Sequence, residues 1–591
     1  MTDRDDNLTD FGKETLKDRY LLNGESYQDL FKRVAKAFAN DAAHEQRLYD
    51  YMSNLWFMPS TPILSNGGTS RGLPISCFLN EIQDSMNSIS DNITENFWLS
   101  SKGGGIGTYI GNLRSLGEEI KGVGKSSGII PFMKIHDSMT LAISQGGIRR
   151  ASAAIYLPIN HPEIEEFIEV RRPTGGDPNR KCLNLNNAVV IDDKFMNAVE
   201  DGKTYDLVSP KDDAVIKTVN ARDLWIRLLT ARIETGEPYI MFVDTVNQFM
   251  PEHQKKLGLS ITTSNLCSEI LLPTGIDYQD NNRTAVCCLS SLNLEKYDEW
   301  KDNPIFIKDV IYFLDNVLTS FITKASHTHK CAAYSAINER SIGLGVMGLH
   351  SLYQKNEFSW NSSEAYQLNI EIFSKIKKES DKANVEIAFE RGACPDAINA
   401  GYMLRFSNVT AIAPTASISI ICGGTSPGIE PTVANFYTHK TLSGSFPIKN
   451  PELKRLLHNR YNKDNDKIWS SIATNEGSVQ HLDFLSDHEK DVFKTAYELN
   501  QYSIIAQASD RQPYIDQGQS LNLFLPPNIS KKELHKIHMD AWKQNLKTLY
   551  YCRSQSIGRA EKPSEKVERV KIVDDAPKMC SIDNPECEAC Q

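Results

Sequence analysis

A regular spacing of apolar positions marks residues 26–57 as helical. Leu30, Phe31, Val34 and Phe38 recur there every three or four residues, which places their side chains on one face of an α-helix. The pattern therefore predicts a small helical region near the start of the chain.

Residues 59–75 interrupt this pattern with a run of Pro, Gly and Ser, which is typical of a loop. From residue 76 to residue 555, short apolar runs alternate with amphipathic stretches. Such alternation favours an α/β core over a helical bundle or a β-sandwich. The clearest strand-like runs are 153–158, 188–191, 239–243 and 521–525, and the clearest helical stretches are 221–235, 306–324 and 364–391.

The chain changes character after Arg559, where EKPSEKVERVKIVDDAPKMCSIDNPECEACQ contains almost no large apolar residues. A segment that cannot bury apolar surface is expected to be a mobile tail. We therefore divide the chain into a helical N-terminal region at 1–70, an α/β core at 71–558 and a flexible tail at 559–591.

Composition and charge exclude several classes of protein. With 591 residues and 40% hydrophobic content, the chain can bury a large core. Its 65 Lys and Arg against 75 Asp and Glu give a net charge of -10, which argues against a dedicated nucleic-acid binder. No apolar run reaches the ~18 residues of a membrane span, and the acidic, polar N-terminus is unlike a signal peptide. Twelve cysteines are too few for a disulfide scaffold, so we expect a cytoplasmic protein.

The most informative short segment is the run from Asn265 to Glu269, with Cys267 between them. If this run is extended, the three side chains lie on one face, roughly 6.5 Å apart. An amide can orient a hydroxyl, a carboxylate can accept its proton, and a thiol can act as a nucleophile or a hydrogen-atom donor. The alternative is a buried structural cysteine with polar neighbours. The five residues alone do not separate these two interpretations.

Three more cysteines lie in apolar surroundings. Cys77 is in PISCFL, and Cys287 and Cys288 are in TAVCCLSSLNL. Each could be an ordinary core residue, but together with Cys267 they indicate a thiol-rich pocket. Adjacent residues of a strand point to opposite faces, so only one of Cys287 and Cys288 can face that pocket.

The tail ends in a C-x-x-C motif formed by Cys587 and Cys590, and Cys580 lies nearby. Structural zinc needs four Cys or His ligands, so the zinc signal is weak. A mobile dithiol that exchanges electrons with a disulfide fits the motif better, and a segment without a role is the third possibility.

Two glycine-rich segments, KGGGIG at 102–107 and PTASISIICGGTSPG at 414–428, could bind phosphate through backbone N–H groups, especially if the second opens a helix. Neither matches a P-loop or a dinucleotide fingerprint, and both could be ordinary turns. Tyr550 and Tyr551 are consistent with a strand in which one ring is buried.

The chain resembles the large, catalytic subunit of class I ribonucleotide reductases over residues 10–591. The resemblance rests on separated motifs in a fixed order: STPILSNGGT…SCFL, GGGIGTYIGNLR, SQGGIRRASA, NLCSEILLPTG, CCLSSLNL, APTASISI, LYY and the terminal CEAC. The fold that it implies is a ten-stranded α/β barrel, preceded by a small helical region, with the Cys267 segment as a finger loop through the centre.

The resemblance implies that this enzyme reduces ribonucleoside diphosphates to 2′-deoxyribonucleoside diphosphates. Cys267 would carry a thiyl radical that abstracts the 3′ hydrogen of the ribose, Glu269 would accept the 3′-hydroxyl proton, and Asn265 would hold the hydroxyls. Cys77 and Cys287 would be the dithiol that supplies two electrons and ends as a disulfide.

The same resemblance implies several partners and no metal in this chain. Tyr550 and Tyr551 would pass the radical from a separate small subunit, which holds the metal-radical cofactor. Cys587 and Cys590 would re-reduce the pocket dithiol and would be reduced in turn by thioredoxin or glutaredoxin. The large subunit would form a homodimer.

Nucleotide contacts carry over from the matching motifs. Substrate would contact Thr61, Ser76, Gly105 and the segment Pro414, Thr415, Ala416, Ser417 and Ile418, and a dNTP or ATP specificity effector would contact Asp84, Arg114 and Lys121. A loop containing Gln145, Arg149 and Arg150 would relay effector identity to the substrate base. Arg150 and Ala151 replace glycines of the common GGxRGGAA pattern, so this loop is stiffer and more basic.

Other features separate the competing hypotheses. There is no room before the first helices for the ATP-binding regulatory module of many relatives, so we expect one class of effector site. A reductase that uses adenosylcobalamin is the alternative, but it would not need the Tyr550–Tyr551 relay. A glycyl-radical reductase is disfavoured because the end of this chain has no glycine-centred radical motif. A nucleotide-binding regulatory protein is disfavoured because it would not need a tail dithiol. Cys288 and Cys552 have no assigned role.

The tail hypothesis makes a direct prediction. About thirty flexible residues would hold the tail dithiol near the pocket at an effective concentration of roughly millimolar. We expect the double variant Cys587→Ser/Cys590→Ser to lose turnover driven by thioredoxin but to keep turnover driven by dithiothreitol, which is small enough to enter the pocket. Full thioredoxin-driven activity in this variant would rule out the shuttle. A zinc site would instead show tightly bound metal in the purified protein.

Overall fold

The computed structural model describes residues 4–75, 77–145, 149–150, 152–325, 328–441 and 444–554. The strands are β1 (Phe57–Pro59), β2 (Cys77–Glu81), β3 (Gly105–Tyr109), β4 (Glu119–Ile120), β5 (Gly124–Lys125), β6 (Ser144–Gln145), β7 (Arg149–Arg150), β8 (Ser152–Pro158), β9 (Asn186–Ile191), β10 (Thr204–Val208), β11 (Val215–Asn220), β12 (Tyr239–Phe242), β13 (Gly275–Ile276), β14 (Asn282–Arg283), β15 (Ala285–Asn293), β16 (Ile342–Met347), β17 (Phe436–Thr441), β18 (Gly444–Lys449), β19 (Leu523–Leu525), β20 (Thr548–Leu549) and β21 (Cys552–Ser554).

The α-helices surround these strands. They are α1 (Asp10–Arg19), α2 (Tyr27–Phe38), α3 (Ala42–Ser53), α4 (Thr61–Asn66), α5 (Met86–Ser101), α6 (Ile130–Ala142), α7 (Ile164–Ile168), α8 (Asp193–Asp201), α9 (Ala221–Thr235), α10 (Val243–Gln248), α11 (Glu252–Lys256), α12 (Tyr297–Trp300), α13 (Phe306–Ala325), α14 (Lys330–Glu339), α15 (Leu349–Lys355), α16 (Ser363–Arg391), α17 (Pro395–Asn399), α18 (Ala416–Ile421), α19 (Pro451–Asn459), α20 (Asp466–Thr474), α21 (Asp487–Val492), α22 (Gln501–Arg511) and α23 (Lys531–Lys543).

The N-terminal region is helical, as its apolar spacing predicts. The segment 26–57 forms α2 and α3 because the chain turns at Asp41, whose side chain accepts the N–H of His44 and caps the second helix. The interpretation of 59–75 as loop is wrong over α4, where a proline in the first turn starts a short helix.

A barrel of two parallel halves forms the core. In the first half, β2, β3, β8, β9 and β12 pair in parallel. The second half starts with the parallel pair β15 and β16 and continues through the bridges Leu344–Thr410 and Ile412–Gln519 to β19 and β21. The halves meet in antiparallel pairs: β2 with β15, the first junction, and β12 with β20, the second junction. Residues 519–525, which include β19, form one segment, and residues 548–554, which include β20 and β21, form another. With the segment 410–412, these pairs connect ten segments in a ring, so the predicted ten-stranded α/β barrel is confirmed.

A finger loop, residues 261–272, runs through the barrel and divides its interior into two apolar clusters. Leu266, Cys267 and Leu271 pack with side chains of β8, β9 and β12 from the first half. Ile270 and Leu272 pack with side chains of β2 and β15 and with Ala411 and Ala413. The predicted central loop is therefore confirmed, and its two faces pack in two different apolar clusters.

Close backbone contact holds the finger loop against β3. A Cβ atom on Gly107 would lie 1.7 Å from the carbonyl oxygen of Ser264, so only glycine fits at this position. Within the described ranges, the structure contains no helix that is long and apolar enough to cross a membrane.

Candidate functional site

The finger loop makes a turn at Cys267 and is not extended. Asn265 Oδ1 accepts the backbone N–H groups of Glu269 and Ile270, each at 3.1 Å. Ser268 has φ of +65°, which is a left-handed conformation. The extended geometry considered for this run is therefore wrong, because the Asn265 side chain folds the backbone back on itself.

Hydroxyl groups from the barrel hold the carbonyls of this turn. Tyr156 Oη donates to the carbonyl of Asn265 at 2.7 Å. Ser520 Oγ donates to the carbonyl of Cys267 at 2.7 Å, and Thr548 Oγ1 donates to that of Ser268 at 3.0 Å. The donors come from both halves of the barrel, so the position of the turn depends on the closed ring.

The amide, thiol and carboxylate predicted from sequence lie in this one buried turn. Asn265, Cys267 and Glu269 are each at most 3% exposed. Ser520 Oγ lies 3.2 Å from Glu269 Oε2 and can donate to it. Asn265 Nδ2 is buried and has no hydrogen-bond partner among the described atoms. A buried donor without a partner is costly, so this amide is suited to a hydroxyl of a bound ligand.

The first junction places two cysteines opposite each other. Cys77 of β2 and Cys287 of β15 are paired in the antiparallel register. Directly opposed residues have Cα atoms about 4.5–5.5 Å apart, which lies within the range of a disulfide. Both side chains belong to the apolar cluster on one face of the finger loop. Burial raises the pKa of Cys287 well above its usual range.

Cys288 lies on the other face of β15. Its Sγ donates to the carbonyl of Leu314 in α13 at 3.5 Å, and it packs in the large outer core. The expectation that only one of the two adjacent cysteines faces the pocket is thus confirmed, and the one that does is Cys287. The surroundings of Cys288 are those of a structural core thiol.

The second junction carries a cluster of tyrosines. The ring centroids of Tyr550 and Tyr551 are 4.3 Å apart, and the backbone at these two residues leaves the strand between β20 and β21. Tyr550 packs in the same apolar cluster as Cys267. Tyr239, at the start of β12, lies 4.7 Å from the Tyr550 ring and 5.0 Å from the Tyr551 ring. The sequence interpretation missed Tyr239 because a tyrosine that begins an apolar strand has no distinguishing local pattern.

The predicted substrate residues lie on several different elements of the fold. Gly105 of β3 is the register partner of Cys77, and Tyr20 Oη lies 2.9 Å from Thr61 Oγ1 at the start of α4. The segment that begins at Pro414 opens α18, as expected for a phosphate-binding turn, and its Thr415 has φ of +56°. The remaining members of this set are Ala416, Ser417 and Ile418 in the first turn of α18. Ser76 lies outside the described residues.

The predicted effector residues form a separate group on the first half of the barrel. Arg114 makes an ion pair of 2.7 Å with Asp84, and Lys121 is exposed in the turn between β4 and β5. Gln145 pairs with Arg149 in the two-stranded ribbon of β6 and β7, which Arg150 also joins. Residues 146–148 and 151, and the tail with Cys580, Cys587 and Cys590, are outside the described residues.

Metal ligands are not clustered in the ranges that the structure covers, where no group of three or more His, Cys, Asp and Glu side chains could hold an ion. The buried carboxylate of the turn, Glu269, instead has a hydroxyl neighbour. The side chains that the structure brings together at the site are thiols, one carboxylate and tyrosines.

Known proteins share this architecture. The ribonucleotide reductase barrel domain matches residues 75–402 and 396–552, and the ribonucleotide reductase all-alpha domain matches residues 6–72. The chain is 43% identical to the ribonucleoside-diphosphate reductase large subunit of Invertebrate iridescent virus 3, over 94% of this chain and 95% of that protein. It is 31% identical to the ribonucleoside-diphosphate reductase large subunit of Danio rerio, over 100% of this chain and 82% of that protein.

A solved structure agrees with the fold. The class Id ribonucleotide reductase alpha subunit of Actinobacillus ureae superimposes with a TM-score of 0.82 at 35% sequence identity, covering 93% of this chain and 98% of that one.

The register at the first junction predicts which cysteines can be oxidised together. Treating the folded chain with a mild oxidant such as diamide should link Cys77 to Cys287 and leave Cys288 reduced, because Cys288 points to the opposite face. Alkylation in denaturant followed by peptide mass spectrometry measures this. A bridge that contains Cys288 would contradict the register.

Proposed function

Because the chain belongs to the ribonucleotide reductase large-subunit family, we propose that it reduces ribonucleoside diphosphates to 2′-deoxyribonucleoside diphosphates through a thiyl radical on Cys267. The observation that supports this most strongly is the position of the Cys267 turn, between an opposed cysteine pair and a tyrosine cluster. The match to a class I alpha subunit favours the form that works with a separate small subunit.

The turn would perform the first half of the reaction. The Cys267 radical takes the hydrogen atom from C3′ of the ribose, and Glu269 accepts the proton of the 3′-hydroxyl group. Asn265 Nδ2, buried and unpartnered among the described atoms, donates to a ribose hydroxyl and fixes the sugar over the thiol. The 2′-hydroxyl group then leaves as water.

The cysteine pair would perform the second half. Cys77 and Cys287 supply two electrons and two protons, and they end as a disulfide because their register already places them at bonding range. The hydrogen atom returns from Cys267 to C3′, which restores the radical. The net change replaces the 2′-hydroxyl group by hydrogen, oxidises one dithiol to one disulfide and releases the hydroxyl oxygen as one water molecule.

The radical would reach Cys267 through tyrosines from a small subunit that holds the metal-radical cofactor. Tyr550 and Tyr551 are in ring contact, and Tyr550 shares an apolar cluster with Cys267, so the steps between them are short. The tail dithiol of Cys587 and Cys590 would then reduce the Cys77–Cys287 disulfide, with thioredoxin or glutaredoxin as the electron donor.

We expect variants of the turn to fold without turning over. Removing the proton acceptor in Glu269→Gln should lower the rate of diphosphate reduction about 10²- to 10⁴-fold. Cys267→Ser should abolish it, because a serine hydroxyl cannot form the radical under these conditions. The assay is turnover of a ribonucleoside diphosphate with dithiothreitol, with and without the cognate small subunit.

The matched control for Cys267→Ser is Cys182→Ser, which changes another buried thiol outside the site. This control should keep its activity. Product formation by Cys267→Ser near the wild-type rate, or turnover of the wild-type chain without any small subunit, would overturn the proposed radical route.

A homodimer would form through α5 and α6. These neighbouring helices leave Trp98 53% exposed and Leu141 64% exposed, and Met86 and Ile135 are also exposed on them. Exposed apolar side chains on adjacent helices are typical of a protein interface. Asp84, which pairs with Arg114, lies just before α5 in the chain, so a nucleotide effector bound there would lie beside the second copy.

The effector should therefore drive dimer formation. Adding a deoxynucleotide should shift the wild-type chain from monomer to dimer in light scattering, whereas Trp98→Glu should remain monomeric because a charge in this face opposes its burial. Phe389→Glu is the control, since Phe389 is 73% exposed on a different helix. Equal dimer formation by both variants would place the interface elsewhere.

A further inference from the structure

One loop, residues 515–520, contacts both the finger loop and the cysteine pair. Gly518 N donates to the carbonyl of Glu269 at 2.8 Å. The side chain of Ser520 bonds the carbonyl of Cys267, and the side chain of Gln517 accepts the N–H of Leu271 at 3.2 Å. This loop is therefore in contact with the Cys267 turn and with Cys287.

Gln517 also reaches the buried thiol of the dithiol pair. Its Nε2 donates to the carbonyl of Ile342 at 3.0 Å and lies 3.8 Å from Cys287 Sγ, within reach of an N–H···S hydrogen bond. The side chain is fully buried, and its Oε1 is held by Leu271. The amide is thus fixed with one N–H directed at the sulfur.

We propose, building on the function proposed above, that Gln517 is a further catalytic residue whose amide stabilises Cys287 as the leaving thiolate when the Cys77–Cys287 disulfide is reduced.

The reductive step is a thiol–disulfide exchange with a dithiol, such as the tail pair or dithiothreitol. One sulfur of the reductant, as a thiolate, bonds to Cys77 Sγ, and the Cys77–Cys287 bond breaks. Its electron pair leaves on Cys287 Sγ, which then takes up a proton. The second thiol of the reductant attacks the mixed disulfide and releases Cys77 as a thiolate, which is protonated in turn. The reductant ends as a disulfide.

The exposure and the surroundings of the two sulfurs indicate which one is attacked and which one leaves. Cys77 is 5% exposed and Cys287 only 1%, so the incoming thiolate meets Cys77 first. Cys287 Sγ lies above Gly343 of β16, where an added Cβ would come within 2.9 Å of it. Burial and the nearby Cys288, Cys77 and Glu269 all raise the pKa of Cys287, and the hydrogen bond from Gln517 lowers it.

A buried cation holds the Gln517 loop. Lys547 Nζ donates to the carbonyls of Asp516 at 2.7 Å, Gln517 at 2.8 Å and Ile515 at 3.3 Å. Lys547 is 2% exposed, and burial lowers its pKa to about 8. Three carbonyls on one ammonium group fix the local backbone, so Lys547 is a positioning residue for the amide.

The test is the rate at which dithiothreitol reduces the Cys77–Cys287 disulfide in the full chain. The disulfide is formed with diamide, and dithiothreitol is then added. Aliquots taken over time are quenched with acid and then alkylated for peptide mass spectrometry. Losing one hydrogen bond to a thiolate should slow the reduction in Gln517→Leu roughly tenfold. The control is Gln507→Leu, which removes another fully buried amide, one that bonds Tyr353 and Trp360, and should reduce at the wild-type rate.

A second variant covers the case in which Gln517→Leu does not fold. Gln517→Glu keeps the acceptor for the N–H of Leu271, but its carboxylate repels a thiolate once it is ionised. Its reduction rate relative to wild type should therefore fall as pH rises, an effect that a purely structural role would not produce. A constant ratio across pH, or a wild-type rate in Gln517→Leu, would overturn the proposal.

The proposed function is tested separately by a single turnover. Pre-reduced wild-type chain, mixed with the small subunit and substrate but no reductant, should form a single burst of product from its Cys77–Cys287 dithiol. Loss of the burst in wild type would overturn the radical function, while the diamide experiment would still report on Gln517.

Discussion

The structure depends on satisfying the polar backbone of a loop that runs through the middle of an otherwise apolar barrel. Buried carbonyl and N–H groups without partners would each cost about 1–3 kcal/mol. The barrel meets this requirement with side-chain donors and acceptors, namely Tyr156, Ser520 and Thr548 for the carbonyls and Gln517 for an N–H. Each of these residues positions the turn of Cys267, so the stability of the loop and the geometry of the site have the same origin.

The two antiparallel junctions of the barrel have different chemistry. At the first junction, Cys77 lies opposite Cys287, so two thiol groups lie next to the finger loop. The second junction brings Tyr239 and Tyr550 together, beside the same loop but on its other face. Because the finger loop lies between the junctions, its one thiol would, in the proposed reaction, receive the radical at one face and act on the substrate at the other.

Much of the site follows from sequence, but its geometry does not. The run from Asn265 to Glu269 identifies an amide, a thiol and a carboxylate without the structure. The sequence pattern is equally compatible with an extended run. Only the structure shows that Asn265 Oδ1 accepts two backbone N–H groups and so makes a turn. Gln517, Ser520 and Lys547 lie about 250 residues or more further along the chain from Cys267, and no local pattern connects them to it.

The sequence by itself determined the α/β class, most of the long helices and strands, and the family resemblance, because periodicity and motifs are local properties of the chain. It also showed that only one of Cys287 and Cys288 can face the pocket, since a strand alternates its side chains. The tertiary structure decided which one, because the register of β2 against β15 depends on how two distant strands pair. Ring closure, the tyrosine cluster and the contacts of Gln517 were decided in the same way, by packing between segments that are far apart in sequence.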